Sequence, residues 1–549
     1  MRHKKSLLVT TLFVLALVIL AVAGCGGTTT TTGAESSSTT GSGTTTSGTT
    51  PPAAGGTFTI AIQPQYKSFD PAHASEIDGL MVTYAAYDTL VRSENGKVVP
   101  WVATSWESPD NGKTFIFKLR DDVVFNSGNP LTAEDVKFSF MRLKNVKGNP
   151  SSLADPLESV EVVDDHTVKT VLSSVDVSWL SRLTVPTFAI TDSKVIKEHG
   201  GNDAADAAQT DQAQAWLDQN SAGSGPYTLV EYVNKQQSVL VRNDKYWGET
   251  KPQFDKIVLK QIDDVNTQKL LLQKGEVDLA INLTADQARE LKSDTNVKLT
   301  FSPTLDFFYI VGNRNPDVSR PASDPKVMQA IRYALDYEGL RAVCGEGSVT
   351  PYSVIPIGML GAKPANLIKQ DLDKAKALMA EAGYADGFTA DLEVPALTIS
   401  SIDLTLAAQK IQEDLTKIGV TTELKPLEVG VFLERYRTGQ LGMAVSMWGP
   451  DYPDPQSQMA FLPGQRAGGN YGWKEGADPE LEQLRVEAAS TLDETKRVEI
   501  LEKIQDRLAE TGPYVVFAQP SRYYGTTPNV GELKVNPVFM LDLTSLTKS

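Results

Sequence analysis

The chain has 549 residues, with 52 Lys and Arg against 68 Asp and Glu, a formal net charge of −16, and 41% hydrophobic residues. That acidity argues against nucleic acid as a partner, because such binding rests on neutralising phosphates with Lys and Arg. Length and apolar content together allow a large core, divided among roughly two to four domains.

Arg2, Lys4 and Lys5 open the chain, Leu7 to Val22 form an almost unbroken apolar run, and Val22-Ala23-Gly24-Cys25 closes it with small residues ahead of a cysteine. A basic start, an apolar stretch and a small-residue cleavage site are the parts of a secretory signal, here residues 1–24. The apolar run, about sixteen residues, falls short of the ~20 that cross a bilayer as a helix. The alternative is an uncleaved membrane anchor with an incidental cysteine. The Val-Ala-Gly-Cys end resembles the bacterial lipoprotein signal, which implies cleavage before Cys25 and acylation of its thiol. Two acyl chains make a stable anchor where one does not. Residues 26–56 are almost entirely Gly, Thr, Ser, Ala and Pro, with Glu35 the only charge. Such a segment buries too little apolar surface to offset its ordering entropy, so 25–56 reads as a lipidated cysteine on a disordered tether. Loss of residues 1–24 removes three basic residues and leaves 49 basic against 68 acidic, a balance of −19. The other cysteine, Cys344, follows an apolar helical segment and reads as a buried structural thiol.

Alternation with β-branched and aromatic residues predicts strands at Thr57–Ile62, Lys113–Leu119, Val160–Val163, Thr167–Leu172, Ser238–Val241 and Lys256–Ile262, with Asp164-Asp165-His166 as a hairpin turn and His166 facing solvent. Thr132 caps a helix whose apolar side carries Val136, Phe140 and Leu143. Asp324-Pro325 is a cap followed by proline at the first helical position, leading into Val327, Ile331 and Leu335. Further helices are predicted over Asp371–Gly383, Ile402–Ile418 and Asp493–Glu510, the last stopped by Gly512-Pro513. Strands and helices alternate, so the fold class is α/β with partly parallel sheets.

Read in order, Val99-Pro100-Trp101 through Ser105-Trp106-Glu107, then Asp110-Asn111-Gly112-Lys113-Thr114-Phe115, Leu119 to Phe125, and Asn129-Pro130-Leu131-Thr132-Ala133-Glu134-Asp135-Val136 make one block. Gly223-Ser224-Gly225-Pro226-Tyr227, Arg242 to Trp247, Lys274-Gly275-Glu276-Val277-Asp278, Ile331 to Asp336, Glu381 to Tyr384 and Trp448 to Pro455 follow. In this order, from about residue 57 to about 525, the chain resembles the bacterial extracellular solute-binding proteins of the oligopeptide, dipeptide and nickel class, family 5. The resemblance implies a large two-lobed, periplasmic-binding-protein-like clam-shell of type II with a subdomain inserted in lobe I. Its expected parts are 57–98, 224–305 and 515–549 for lobe I, 99–223 for the inserted subdomain and 306–514 for lobe II. The aromatic-rich strands near Thr304–Val311 and Tyr514–Gln519 are the expected crossings.

Binding proteins of this kind close on a ligand, and closure requires that both lobes touch it. The resemblance points to Asp451, in Trp448-Gly449-Pro450-Asp451-Tyr452-Pro453-Asp454-Pro455, as the group that meets a peptide's α-ammonium. A cleft that dries on closing has to pair a ligand charge. The bland reading makes Asp451 and Asp454 ordinary turn residues beside proline. Trp448 and Tyr452 offer apolar faces, and Trp473, in Asn470-Tyr471-Gly472-Trp473, follows closely enough to line the same side. Each of the three is also a candidate for the core. Arg314, Arg332 and Arg435 are candidates for the ligand's carboxylate, or structural charges.

An exported hydrolase is the competing class. The sequence has no Gly-x-Ser-x-Gly elbow and no His-Glu-x-x-His motif, and His73, His166 and His199 lie far apart. The expectation is a monomeric, non-enzymatic lipoprotein without cofactor or metal, held at the outer face of the membrane. It is expected to deliver a short peptide to the permease and ATPase of an ABC importer. An oligosaccharide or a metal chelate is the alternative ligand.

Overall fold

A computed structural model describes residues 55–549, apart from 64–66, 95, 537 and 539. The expected signal segment, Cys25 and nearly all of the tether lie outside the described residues. Among the described residues no helix is long and apolar enough to cross a membrane.

The predicted strand Thr57–Ile62 is present with those limits and has Phe58, Ile60, Ala61 and Ile62 fully buried. Apolar side chains on both of its faces suit a covered, central strand. It pairs in parallel with Lys256–Gln261 on one side and Leu279–Leu283 on the other. Around these three the sheet extends to seven strands, in the order Lys298–Pro303, Ser521–Thr526, Leu279–Leu283, Thr57–Ile62, Lys256–Gln261, Gln237–Arg242, Tyr227–Val233.

A second sheet has four antiparallel strands in the order Ala103–Glu107, Thr114–Leu119, Thr167–Leu172, Leu157–Asp164. The predicted hairpin joins the last two, but His166 is only half exposed, with its Nδ1 out of solvent. The helix Ala133–Val146 packs on this sheet. Its start is fixed by Asp135, whose carboxylate accepts from Thr132 N at 2.9 Å and Thr132 Oγ1 at 3.0 Å. Val136, Phe140 and Leu143 are buried, each contributing roughly 1.5–3 kcal/mol. On the polar side of the same helix, Arg142 is sandwiched between Asp70 and Asp211, with two hydrogen bonds to each.

A third sheet runs Val420–Leu427, Phe388–Pro395, Met443–Trp448, Phe307–Gly312, Tyr514–Ala518. Aspartates set the starts of its helices: Asp324 before Pro325–Ala334, Asp371 before Leu372–Glu381, Asp493 before Glu494–Thr511. The helix expected from Ile402 begins at Leu404, since Ile402–Asp403 is spent on a short pairing with Thr398–Ile399 and Asp403 then caps the helix.

The chain passes between the seven- and five-stranded sheets twice, at Thr304–Asp306 and at Gln519-Pro520. The two passages are bonded to each other: Thr304 Oγ1 donates to Pro520 O at 2.9 Å, and Gln519 Nε2 donates to Thr304 O at 2.7 Å. Two adjacent connections between two helix-covered sheets make a two-lobed α/β clam-shell, a geometry suited to hinge motion. The strand Tyr514–Ala518 is still bonded to Phe307–Gly312, so the second passage comes after it.

The four-stranded unit is secured at its root by Asp88. One oxygen of this buried carboxylate accepts from Arg92 Nη2 at 3.0 Å and Trp101 Nε1 at 2.7 Å, the other from Ser224 Oγ at 2.8 Å and Trp247 Nε1 at 2.9 Å. The unit also shares a continuous buried cluster with the five-stranded lobe, reaching from Phe117 and Trp179 to Phe461 and Leu501.

Candidate functional site

Where the strands Thr57–Ile62 and Leu279–Leu283 end, Asn282 turns its side chain to accept from Gln63 N at 2.7 Å. Beside them, Ser75 to Asp78 lead into the helix Ile77–Ala86, and Arg522 projects from Ser521–Thr526. Facing this group across a cavity of about 220 Å³ is the turn Thr398–Ser401 of the other lobe.

Asp306, at the first passage, lies behind this cavity and ties its two walls together. Its Oδ2 accepts from Ser400 Oγ at 2.6 Å and from Arg522 Nη2 at 3.0 Å, and Arg522 Nη2 also lies 3.2 Å from Ser400 Oγ. All three side chains are buried. Burial opposes the charge on Arg522, but Tyr524 and Asp306 outweigh it and hold the guanidinium pKa above its usual value. Ser400 and Ser401 both adopt left-handed backbone, φ +47° and +70°, which non-glycine residues rarely do. Ser401 Oγ is buried without a partner among the described residues.

The Trp448-Gly449-Pro450-Asp451 loop reaches the same centre through its backbone. A Cβ at Gly449 would stand 2.5 Å from Asp306 Oδ1, so any larger residue would have to displace the Asp306 carboxylate. Trp448 is half-buried, 5.0 Å edge-on from Phe461, and its Nε1 is out of solvent with no acceptor among the described residues. Asp451 is half exposed and pairs with Arg466 at 2.7 Å, while the Arg466 guanidinium stands 4.9 Å from the Trp448 ring centroid. An exposed pair of this kind holds by about 1 kcal/mol or less, so Asp451 is easily released to another cation.

The other sequence candidates lie elsewhere. Tyr452 is 3% exposed, with the Arg182 guanidinium of the four-stranded unit 4.3 Å from its ring. Asp454 is buried in a two-pronged pair with Arg497, at 2.6 and 2.8 Å. Trp473 is 4% exposed and packs between Tyr514 and Arg314. Arg332 donates to Tyr352 O, and Arg435 pairs with Glu393 at 2.7 Å. None of these lines the cavity between the lobes, and neither Asp451 nor Trp448 is among its lining residues. Cys344 is fully buried, and burial pushes its thiol up to about 12. Arg522, Asp306 and Ser400 were not singled out by sequence reasoning, since they come from three distant stretches with no shared motif.

Residues 97–470 match the family described as bacterial extracellular solute-binding proteins, family 5 Middle. Among curated relatives, the chain is 29% identical over 495 residues to the probable D,D-dipeptide-binding periplasmic protein DdpA of Escherichia coli strain K12, covering 87% of this chain and 91% of that protein. It is 30% identical over 481 residues to the dipeptide-binding protein of the same strain, covering 82% and 87%. Among solved structures, the periplasmic binding protein DppA of Helicobacter pylori in complex with the peptide STSA aligns with a TM-score of 0.74 at 24% identity, over 90% of this chain and 97% of that one.

Proposed function

Because this chain belongs to the bacterial extracellular solute-binding proteins of family 5, we propose that it captures a short peptide between its lobes and delivers it to the permease and ATPase of an ABC importer. The observation that carries this reading is the cavity itself. Residues of both lobes line it, and Arg522 of one lobe and Ser400 of the other converge on Asp306 at the passage between them. A ligand seated there touches both lobes and so favours the closed state through its differential affinity. Two relatives that cover most of the chain carry dipeptide binding in their names, which supports a peptide as the solute.

In this reading Asp451 leaves Arg466 to meet the peptide's ammonium, and Trp448 presents a ring face and a donor that lacks an acceptor among the described residues. Arg522 is the cation on the cavity wall for the opposite end of a zwitterion. Tyr452 and Trp473 brace the loops around the site from the core. Lobe I comprises 57–98, 224–305 and a C-terminal return, the insert 99–223 and lobe II the stretch from 306. The hydrogen bonding of Tyr514–Ala518 within the five-stranded sheet supports a return that begins at about Gln519. The protein acts as a monomer without catalysis, anchored through an acylated Cys25 at the outer face of the membrane.

The test is calorimetric titration of full-length protein with dipeptides and tripeptides, free or N-acetylated. Asp451→Ala is expected to weaken free-amine peptides by about tenfold or more and acetylated ones far less. Equal losses would remove Asp451 from the ammonium role, and no retained peptide of any length would remove the function.

A further inference from the structure

A second pocket, of about 570 Å³, opens in the five-stranded lobe at the end remote from the passages. The strand Phe307–Gly312 starts at the first passage, and Arg314 stands two residues past its far end, about 20 Å along the strand direction. Arg314, Pro316, Pro325, Trp473, Ala477 and Arg507 contribute to the lining. Two residues that the sequence marks as candidates for a carboxylate and a ring contact, Arg314 and Trp473, are thus brought together, away from the cavity between the lobes.

Arg314 is an under-compensated cation. Its Nη1 donates to Ser323 O at 2.8 Å, and its guanidinium carbon lies 5.6 Å from the Trp473 ring centroid. Its Nε is out of solvent and has no acceptor among the described residues. Among the described residues no carboxylate stands within ion-pair distance of it. The carboxylate on the pocket wall, Asp478, is already committed: it accepts from Arg507 Nε at 3.0 Å, Thr511 Oγ1 at 2.9 Å and Leu481 N at 3.3 Å. Burial accordingly pushes the Arg314 pKa below the usual guanidinium value, the opposite of Arg142, Arg497 and Arg522, each of which has a buried carboxylate beside it. A half-buried guanidinium left unpaired is unfavourable until a counter-charge arrives. Lys474 adds a second cation at the rim, whereas Pro316, Pro325, Ala477 and the Trp473 ring give the walls an apolar character.

We propose that this pocket is a second binding site, separate from the one between the lobes, for a small organic carboxylate with a compact apolar body. The carboxylate accepts from Arg314 and the body lies against the prolines and Trp473. Asn315, Ser323 and Thr511 also line the pocket, but the prolines, Ala477 and the Trp473 ring favour an anion that carries an apolar body.

Benzoate is the probe, titrated into full-length protein at constant ionic strength and followed by tryptophan fluorescence and by melting temperature, with benzyl alcohol and chloride as controls. Benzoate is expected to bind saturably and raise the melting temperature, and neither control to do so. Arg314→Met is expected to weaken benzoate about tenfold or more, as loss of a charge-assisted contact does. Without benzoate the same variant should melt at the wild-type temperature or above, because the unpaired charge is gone. Arg314→Lys, which keeps the charge but loses the planar fork, should fold and bind benzoate with intermediate strength. Trp473→Phe should remove the fluorescence response while sparing most of the affinity, and an excess of dipeptide, directed to the cavity between the lobes, should leave benzoate binding as it was. The proposal is overturned if Arg314→Met binds benzoate like wild type, if it melts lower while responding normally, or if dipeptide displaces benzoate and so places the carboxylate between the lobes.

Discussion

Arg522 and Asp306 are separated by 216 positions in sequence, yet their side chains meet at 3.0 Å where the two passages between the lobes run side by side. Ser400, from the facing lobe, donates to the same Asp306 oxygen. The turn that carries Ser400 is strained, with two successive non-glycine residues in left-handed backbone, at about 1–3 kcal/mol each. Asp306 therefore neutralises a buried cation and clamps a strained turn that forms one wall of the cavity.

Asp306→Asn keeps the shape but leaves Arg522 buried without its nearest counter-charge. Breaking such a pair from one side is expected to lower unfolding stability by about 3–5 kcal/mol, measured by urea denaturation. Peptide affinity should fall by at least about tenfold as the Ser400 turn relaxes. The double variant Asp306→Asn with Arg522→Met is expected to recover part of the stability, since no unpaired charge remains, but none of the affinity. Additive losses in stability would show that the two side chains do not act as a pair.

Tyr452 yields a different expectation, because it links the Asp451 loop to the four-stranded unit rather than to the ligand. With Arg182 4.3 Å from its ring, replacement by Leu removes a cation–π contact of about 1–2 kcal/mol in a desolvated setting. If the unit swings with the seven-stranded lobe to which Asp88 fastens it, that contact exists only when the lobes are together. Tyr452→Leu should then weaken free-amine and N-acetylated peptides equally, by several-fold, and leave the scattering profile of the unliganded protein more extended. A loss confined to free-amine peptides would instead mean that Tyr452 acts through Asp451.

Local signals in the sequence account for much of the fold. Alternation marks Thr57–Ile62 with its observed limits, and the aspartates at 324, 371 and 493 stand one residue before the helices they cap. These features are written in a few consecutive residues, where backbone sterics and capping act. The site is legible only in part. The Trp448–Pro455 loop is visible as a motif, and Gly449 explains its glycine, packed against Asp306. Asp454 and Asp451 look alike as letters beside proline, but one is buried on Arg497 and the other is half exposed on Arg466, a difference made entirely by distant helices. Arg522 has the same difficulty. Nothing in Pro520-Ser521-Arg522-Tyr523 separates it from a surface arginine until the chain returns beside Asp306.

The N-terminal segment lies outside the described residues, and its reading rests on chemistry alone. An acyl chain adds ~0.8 kcal/mol of membrane affinity per buried CH₂, and two chains are needed for lasting attachment. Cys25→Ser is expected to move the protein from the membrane fraction to the soluble exported fraction with its peptide affinity unaltered. Persistent membrane association of that variant, resistant to high salt, would point to an uncleaved apolar segment instead.

Acid should find the Asp70–Arg142–Asp211 cluster, in which all three side chains are at most 3% exposed. Burial by itself raises an aspartate's pKa, but at Asp211 the hydrogen bonds and charge of Arg142 outweigh it and hold the carboxyl below the usual range. A folded-state pKa below the unfolded value means that the unfolded chain binds more protons in between, so stability rises with pH across that window. The contribution of Asp211 is therefore complete above the ordinary aspartate value of about 3.9 and disappears as pH falls through the lower, folded value. Urea midpoints should stay level from neutral pH to about 5 and drop below about 4. Arg142→Met, which leaves two buried carboxylates without their guanidinium, is expected to cost about 3–5 kcal/mol at pH 7. The deficit should narrow toward acid, because protonating Asp211 discharges it in the variant while costing the wild type its paired state. A deficit of constant size from pH 7 to 3 would show that Arg142 stabilises the helix Ala133–Val146 by packing rather than by charge.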